Sequence, residues 1–202
     1  MARKLLRIAV IDSGVNPSHP HIARIDGGWP ENHFLDRLGH GTAVMAAIQE
    51  KAPDAEYFAV RIFDRELRTN IDTLLSAIEW SIENKMDIIN LSLGTSNAAH
   101  AEKFTGFISR ALIVSPAGAL PGDLPGVIRV AQDPACPRDQ YHSDGEVFYA
   151  SSYPRPMPGV PPERNLNGVS FAVANMTGFV ARACEALTDL SYKAIQPALK
   201  LN

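Results

Sequence analysis

The stretch "LLRIAVIDSG", residues 5–14, is a nearly unbroken apolar run that ends in the turn sequence Asp-Ser-Gly. A continuous run rich in Val and Ile, rather than an alternating one, is typical of a parallel strand covered on both faces. We therefore predict a buried strand here and a mainly parallel sheet around it. Further runs of the same kind lie at residues 56–63, 87–93, 110–115, 126–132 and 145–151.

Helical patterns separate these strands. The clearest covers residues 70–85, where apolar residues recur along one stripe, and others cover 41–51, 98–110 and 166–187. Strands that alternate with helices indicate an α/β protein, a three-layer sandwich with a mainly parallel sheet and helices on both faces. The chain has 202 residues and no linker between parts of different composition, so we expect a single domain over residues 1–202.

The composition argues against several classes of partner. Charged residues make up 20% of the chain and the formal net charge is −3, so no electrostatic feature favours nucleic acid or an anionic membrane. The basic start "MARK" runs into an apolar stretch that stops at Asp12 without a small-residue cleavage site. No uncharged apolar run reaches the roughly 18 residues of a membrane span. We predict neither a signal peptide nor a span, and a cytoplasmic location.

Cysteines and acidic loops give no sign of a metal site. Cys136 and Cys184 are the only two cysteines and match no metal-ligand spacing, which favours free thiols in a reducing compartment. A disulfide between them stays open, because sequence does not show adjacency in space. We interpret Asp139, Asp144 and Glu146 as a solvated loop, since a hard cation needs about six or more oxygens around one point. We expect no metal and no cofactor.

Three polar residues lie where a strand ends or a helix begins, the places at which α/β proteins carry their functional groups. Asp12 ends the strand in "AVIDSG", His40 starts a helix in "GHGTAV", and Ser170 starts a helix in "NGVSFA". Each has an ordinary alternative: Asp12 suits a turn or cap, His40 a capping or packing histidine, and Ser170 a helix cap. Together they supply the carboxylate, imidazole and hydroxyl of nucleophilic acyl transfer, in the order Asp, His, Ser.

The segments that carry these residues resemble one protein family. "AVIDSGVNPSHPHI", "GHGTAVMAAI" and "NGVSFAVANMTGFVA" look like the aspartate, histidine and serine segments of the subtilisin-like (S8) serine proteases. "DIINLSLGTSNAAH" looks like the family's strand beside the bound peptide. The resemblance runs over nearly the whole chain in the right order. It implies a subtilisin-like fold in which Asp12, His40 and Ser170 form a catalytic triad.

The resemblance also implies two binding elements and exposes one departure. Ser92, Leu93 and Gly94 would pair their backbone with an extended peptide, adding it as a strand. The N–H of Ser170 at the helix start would be one donor to the oxyanion. The family's second donor is an asparagine side chain, whereas Ala119 stands at the matching position in "SPAGAL". Loss of such a donor costs roughly 10²–10³ in rate.

The surroundings of Ala119 are reduced as well. Asn167, Asn175 and Thr95 are candidates for a replacement donor, and the sequence does not choose among them. Only "LPGDLPG" separates Ala119 from the next strand, where the resemblance implies a longer loop at the primary specificity pocket. We therefore expect a shallow or open pocket, which a partner protein would complete.

Two functions follow from these observations. The first is a serine endopeptidase that hydrolyses peptide bonds by an Asp-His-Ser triad and has restricted specificity, as in peptide or protein processing. The second is a catalytically impaired pseudo-protease that binds peptides or a partner, which Ala119 and the short loop suggest. The presence of Asp12, His40 and Ser170 together favours the first, because a drifting pseudoenzyme has no selective reason to keep all three.

Overall fold

The structure is a computed structural model, and it describes residues 5–200. The "MARK" start of the sequence lies outside the described residues. The strands are β1 (Arg7–Asp12), β2 (Gly27–Trp29), β3 (Glu56–Arg61), β4 (Ile88–Leu91), β5 (Leu112–Pro116), β6 (Ile128–Gln132), β7 (Tyr141–Ser143) and β8 (Phe148–Ala150). The helices are α1 (His40–Gln49), α2 (Ile71–Glu83), α3 (Ala101–Ile108), α4 (Val169–Cys184) and α5 (Tyr192–Leu199).

All of these strands belong to one sheet with the order β2-β3-β1-β4-β5-β6-β8-β7. Neighbouring strands are parallel, except that β7 runs antiparallel to β8 at one edge. The strand β1 lies near the middle, between β3 and β4. The mainly parallel sheet predicted from the continuous apolar runs is confirmed.

The sheet is covered on both faces, which follows from the alternation of side chains along each strand. In β1, Ile8 and Val10 pack with the apolar residues of α1, α4 and α5. Ala9 and Ile11 point the other way and pack with those of α2 and α3. Both faces of the strand are therefore buried, and the predicted three-layer α/β sandwich is confirmed.

Three elements were not predicted from the sequence. Strand β2 is three residues long and contains two glycines, so it is held by pairing with β3 rather than by its own propensity. Strand β7 is a short, partly exposed edge strand. Helix α5 contains Pro197 and is anchored by the buried side chains of Ile195 and Leu199. Local sequence signals are weak in all three, and tertiary packing decides their conformation.

The two cysteines do not form a disulfide. Cys136 and Cys184 are both buried and free, so the alternative of a disulfide between them is wrong. Burial raises the pKa of both thiols, to about 12 for Cys184.

Within residues 5–200, no helix is both long enough and apolar enough to cross a bilayer.

Candidate active site

Asp12 is the last residue of β1 and is fully buried at the carboxyl edge of the sheet. Its Oδ1 accepts a hydrogen bond from the N–H of Ser13 at 2.7 Å and lies 2.8 Å from Nδ1 of His40. Its Oδ2 is buried and has no hydrogen-bond partner among residues 5–200. Because a buried charge is costly unless it is paired, this carboxylate strongly favours a positive charge on the neighbouring imidazole.

His40 is the first residue of α1, and only 15% of its side chain is exposed. The helix reaches Asp12 because it lies very close to the loop after β1: a Cβ on Gly41 would lie 2.3 Å from the carbonyl oxygen of Gly14, so only glycine fits. Burial by itself lowers the pKa of His40. The hydrogen bond and charge of Asp12, with the charge of Asp36, outweigh burial, and the pKa lies above its ordinary value of 6.5.

A second carboxylate, Asp36, joins the loop after Asp12 to the start of the helix that begins at His40, and the sequence patterns did not predict this role. Its Oδ1 accepts hydrogen bonds from Ser13 Oγ at 2.8 Å and from the N–H groups of Leu38 and Gly39 at 2.9 Å each. Its Oδ2 accepts from the N–H and hydroxyl of Thr42 at 2.9 and 2.6 Å. A carboxylate that binds N–H groups of a helix start stabilises it. The available signal was an acidic residue just before the predicted helix.

Ser170 is the second residue of α4 and does not cap it. The residue before the helix is Gly168, which has no side chain to cap it. The hydroxyl of Ser170 instead donates to the carbonyl oxygen of Ser92 at 3.1 Å. The helix-cap alternative for Ser170 is therefore wrong.

The hydroxyl of Ser170 does not contact the imidazole in this structure. Within residues 5–200, no hydrogen bond joins Ser170 to His40. The two residues are nevertheless near each other, because the ring of Phe171, which follows Ser170 in the sequence, has its centroid 5.3 Å from that of the His40 ring. The structure thus joins Asp12 to His40 and brings the start of α4 alongside them. A rotation about the Cα–Cβ bond of Ser170 would change the acceptor of its hydroxyl without moving the helix.

The segment Ser92–Gly94 follows β4, the strand next to β1, and so lies at the same edge as Asp12. Ser92 is buried and Leu93 packs against the apolar core. Gly94 is exposed, and among the described residues its N–H and carbonyl make no hydrogen bond. An unpaired, exposed backbone at a strand end is what an added peptide strand requires.

Two buried polar residues next to this segment were also missed. Asn90 lies inside β4 and Thr177 inside α4, and neither is exposed. Asn90 donates from Nδ2 to Ser92 Oγ, and Thr177 Oγ1 lies 2.9 Å from Asn90 Oδ1. The signal in the sequence was a polar residue inside each of two apolar runs, "DIINLSL" and "FAVANMTGFVA".

Ala119 lies in the loop after β5 and offers no side-chain donor. This loop is fixed against the segment after β4: Thr95 and Leu120 exchange backbone hydrogen bonds of 2.9 Å in both directions. A Cβ on Gly94 would lie 2.6 Å from the Cβ of Ala119. Because the two segments are in contact, little space remains between them.

The three candidates for a replacement oxyanion donor differ in what they contact. Asn175 is buried and donates to the carbonyls of Ser151 and Tyr153, so its amide hydrogens are already used. Thr95 Oγ1 accepts from the N–H of Asn97 and lies 3.4 Å from the ring of His100. Asn167 is exposed just before α4, and its amide makes no hydrogen bond with the described residues. Asn167 is therefore the candidate that is free to move.

The acidic loop has partners of its own. The carboxylate of Asp144 accepts hydrogen bonds from the N–H groups of Glu146 and Val147 and from the hydroxyl of Tyr149. These bonds lower its pKa to about 2, the N–H of Val147 contributing most. In the described part of the chain, no three His, Cys, Asp or Glu side chains are grouped so as to hold a metal ion.

Known proteins match this chain in sequence and in fold. The model of the Subtilase family (peptidase S8) matches residues 4–120. The minor extracellular protease Epr of Bacillus subtilis (strain 168) is 39% identical over 107 residues, which make up 46% of this chain and 16% of Epr. The matched part is thus well below two thirds of that relative's length.

Solved structures match over a larger part of the chain. A cold-adapted subtilisin-like serine proteinase has a TM-score of 0.78 at 19% identity, over 96% of this chain and 80% of the other. The prenylagaramide maturation protease PagA has a TM-score of 0.68 at 21% identity, over 97% and 92% of the two chains. At this identity the likeness establishes the fold, and it extends beyond the residues that the family model matches.

Proposed function

The chain belongs to the subtilase family, and from this premise we propose that it is a serine endopeptidase whose nucleophile is Ser170. The observation that carries the proposal is the buried contact of 2.8 Å between Asp12 and His40, at the sheet edge where α4 begins. A buried carboxylate that binds Nδ1 of an imidazole leaves Nε2 as the base. It also stabilises the imidazolium, in line with the raised pKa of His40.

The proposed reaction begins when the hydroxyl of Ser170 turns from the Ser92 carbonyl to His40. His40 Nε2 takes the hydroxyl proton as the oxygen attacks the peptide carbonyl, and Asp12 stabilises the imidazolium. The C–N bond then breaks, and His40 returns the proton to the leaving amine. Water, deprotonated by His40, attacks the acyl-enzyme, and the proton passes back to Ser170 as the carboxylate product leaves.

The charge on the tetrahedral oxygen would be stabilised mainly by the start of α4. The first N–H groups of a helix have no partner within it, and α4 has 16 residues, so its N-terminus favours an anion. Ser170 N–H is the proposed first donor. Asn167 is the proposed second, in place of the side chain that Ala119 lacks.

Restricted specificity is the finer part of the proposal. An extended substrate would pair with the free backbone of Gly94, and its side chain next to the scissile bond would lie over the contact between Gly94 and Ala119 rather than in a deep pocket. Such a shallow surface suits a small side chain. The likeness to a solved maturation protease is in keeping with a processing role. A partner protein that completes this pocket stays a prediction.

A cytoplasmic location also stays a proposal. It is supported by two buried thiols that are free, as expected where thiols stay reduced. Fractionation of cells that produce the natural protein tests it, and recovery from the culture medium would contradict it.

The test of the proposed function is labelling by a fluorophosphonate probe, which reacts covalently with an activated serine. We expect labelling of the wild type and of Ser109→Ala, which changes an exposed serine at the end of α3, and none of Ser170→Ala. Equal labelling of Ser170→Ala would refute Ser170 as the nucleophile. No labelling of the wild type, together with peptide binding that Ser170→Ala leaves intact, would favour the pseudo-protease. Comparable cleavage of casein and of short unrelated peptides would contradict restricted specificity.

A further inference from the structure

We propose that Thr177, Asn90 and Ser92 form a hydrogen-bonded chain that positions Ser170 for attack, which makes Thr177 and Asn90 positioning residues. The inference rests on the proposed function, because positioning matters for chemistry only if Ser170 reacts. Thr177 and Asn90 are 0% exposed and Ser92 is 7% exposed. The chain crosses from the middle of α4 to the end of β4 and returns to the first turn of α4.

The hydrogen bonds in this chain run in one direction. Thr177 Oγ1 lies 2.9 Å from Asn90 Oδ1 and 2.8 Å from the carbonyl oxygen of Val173, so its one hydroxyl hydrogen is shared between two acceptors. Asn90 Nδ2 donates to Ser92 Oγ at 2.9 Å. Ser92 Oγ donates in turn to the carbonyl oxygen of Ser170 at 3.1 Å. Each hydrogen bond therefore orients the donor of the next one. The last donor, the hydroxyl of Ser92, holds the backbone carbonyl of Ser170.

Ser92 contacts Ser170 at two points, and only one of them survives the reaction. The carbonyl of Ser92 accepts the hydroxyl of Ser170, and this bond must break when the hydroxyl turns to His40. The bond from the Ser92 hydroxyl to the Ser170 carbonyl does not involve the reacting atom. The chain from Thr177 is thus attached to the contact that persists while Ser170 attacks.

The position of Asn90 makes a purely packing role a poor explanation. Asn90 lies in β4 opposite Val10 of β1 and Val114 of β5, in the interior of a parallel sheet. A buried amide at such a place is costly unless it is hydrogen-bonded, and an apolar side chain would need no partner. The amide of Asn90 contacts the hydroxyls of Thr177 and Ser92, and Ser92 in turn contacts Ser170.

The main test is Thr177→Val, which keeps the size of the side chain and removes its hydroxyl. Its matched control is Ser81→Ala in α2, on the opposite face of the sheet, where an equally buried hydroxyl donates to the carbonyl of Ala77 at 2.8 Å. Each variant loses a buried hydroxyl, so each should lower Tm, and Thr177→Val should lower it more because its hydroxyl contacts both Asn90 and the carbonyl of Val173. Only Thr177→Val should slow fluorophosphonate labelling, on the order of 10-fold, because displaced reacting groups lose rate steeply.

Thr177→Ser should restore the rate of labelling, because it restores the hydroxyl. The pH dependence of labelling should not move in any of these variants, since none changes a charge near His40. A lowered Tm in Thr177→Val with an unchanged labelling rate would mean that the chain only stabilises the fold, and would overturn the proposal.

A second readout does not depend on activity. Amide hydrogen exchange at residues 168–171 should be faster in Thr177→Val than in the wild type, and unchanged in Ser81→Ala. If the wild type is not labelled at all, the proposed function fails, and this exchange still decides whether the chain positions Ser170. Unchanged exchange at residues 168–171 in Thr177→Val would overturn the positioning role.

Discussion

The two halves of the candidate active site differ in how fully they are assembled. Asp12 and His40 come from β1 and α1, within the residues that the family model matches, and they are joined at 2.8 Å. Ser170 comes from α4, beyond those residues, and its hydroxyl donates a hydrogen bond to the carbonyl oxygen of Ser92. The proposed acid–base half is thus joined in the structure, whereas under the proposed function the nucleophile half is completed only when the Ser170 hydroxyl turns from Ser92 to His40.

The physical reason lies in the supports of each half. Asp36 binds both loops of the acid–base half through both of its carboxylate oxygens, and the glycine at position 41 lets α1 lie against the loop after β1. The nucleophile half lacks a donor at Ala119, and its positioning chain passes through Asn90. Under the proposed function, we expect the acid–base half to govern proton transfer and the nucleophile half to govern stabilisation of the oxyanion.

Breaking the acid–base half should have the largest effect. Asp12→Asn keeps the shape of the side chain but removes the charge that stabilises the imidazolium and fixes its tautomer. Fluorophosphonate labelling should slow on the order of 10⁴-fold, by analogy with the same change in other triads. The matched control is Asp133→Asn, which removes the charge from an exposed Asp–His contact of 3.0 Å to His142. It should leave the rate of fluorophosphonate labelling unchanged. Labelling of Asp12→Asn at the wild-type rate would contradict the role of Asp12.

Repairing the nucleophile half should have the next largest effect. In the Asn167→Ala background, which removes the proposed second donor, Ala119→Asn supplies a side-chain donor, and kcat on a cleaved peptide should rise by up to about 10²-fold, the magnitude that one such donor is worth. Ala119→Leu is the control, since it adds similar bulk without a donor and should not raise kcat. An unchanged kcat in Asn167→Ala alone would contradict Asn167 as the second donor.

The smallest effect should be a shift along the pH axis. In the proposed reaction His40 acts as a base only when neutral, so the labelling rate should rise as pH passes upward through its raised pKa. Asp36 is one of the charges that raise this pKa. Asp36→Asn should therefore lower the pKa of His40 and move the acid limb of the labelling rate to lower pH, by about one pH unit or less. The exposed Asp64, which pairs with Arg61 and Arg37, offers the control Asp64→Asn, with no shift expected. A shift to higher pH in Asp36→Asn would contradict the electrostatic role.

Much of the fold could be predicted because its elements have strong local patterns. The continuous apolar runs of β1, β4 and β5 are confirmed as buried parallel strands, since only strands covered on both faces need apolar side chains in both directions. The strands and helix without such patterns, β2, β7 and α5, were missed. Their conformation depends on neighbours that are distant in sequence.

The sequence by itself determined which residue types stand at the strand ends and helix starts, among them Asp12, His40 and Ser170, because turns and helix starts leave local signals. Only the tertiary structure decided which of them touch, because contacts across β1, α1, β4 and α4 depend on how the layers pack. In the structure Asp12 contacts His40, and the hydroxyl of Ser170 donates to the carbonyl of Ser92. Three further polar residues lie at the site: Asp36, Asn90 and Thr177. A buried polar group must find its partner in space, and that partner can lie anywhere along the chain.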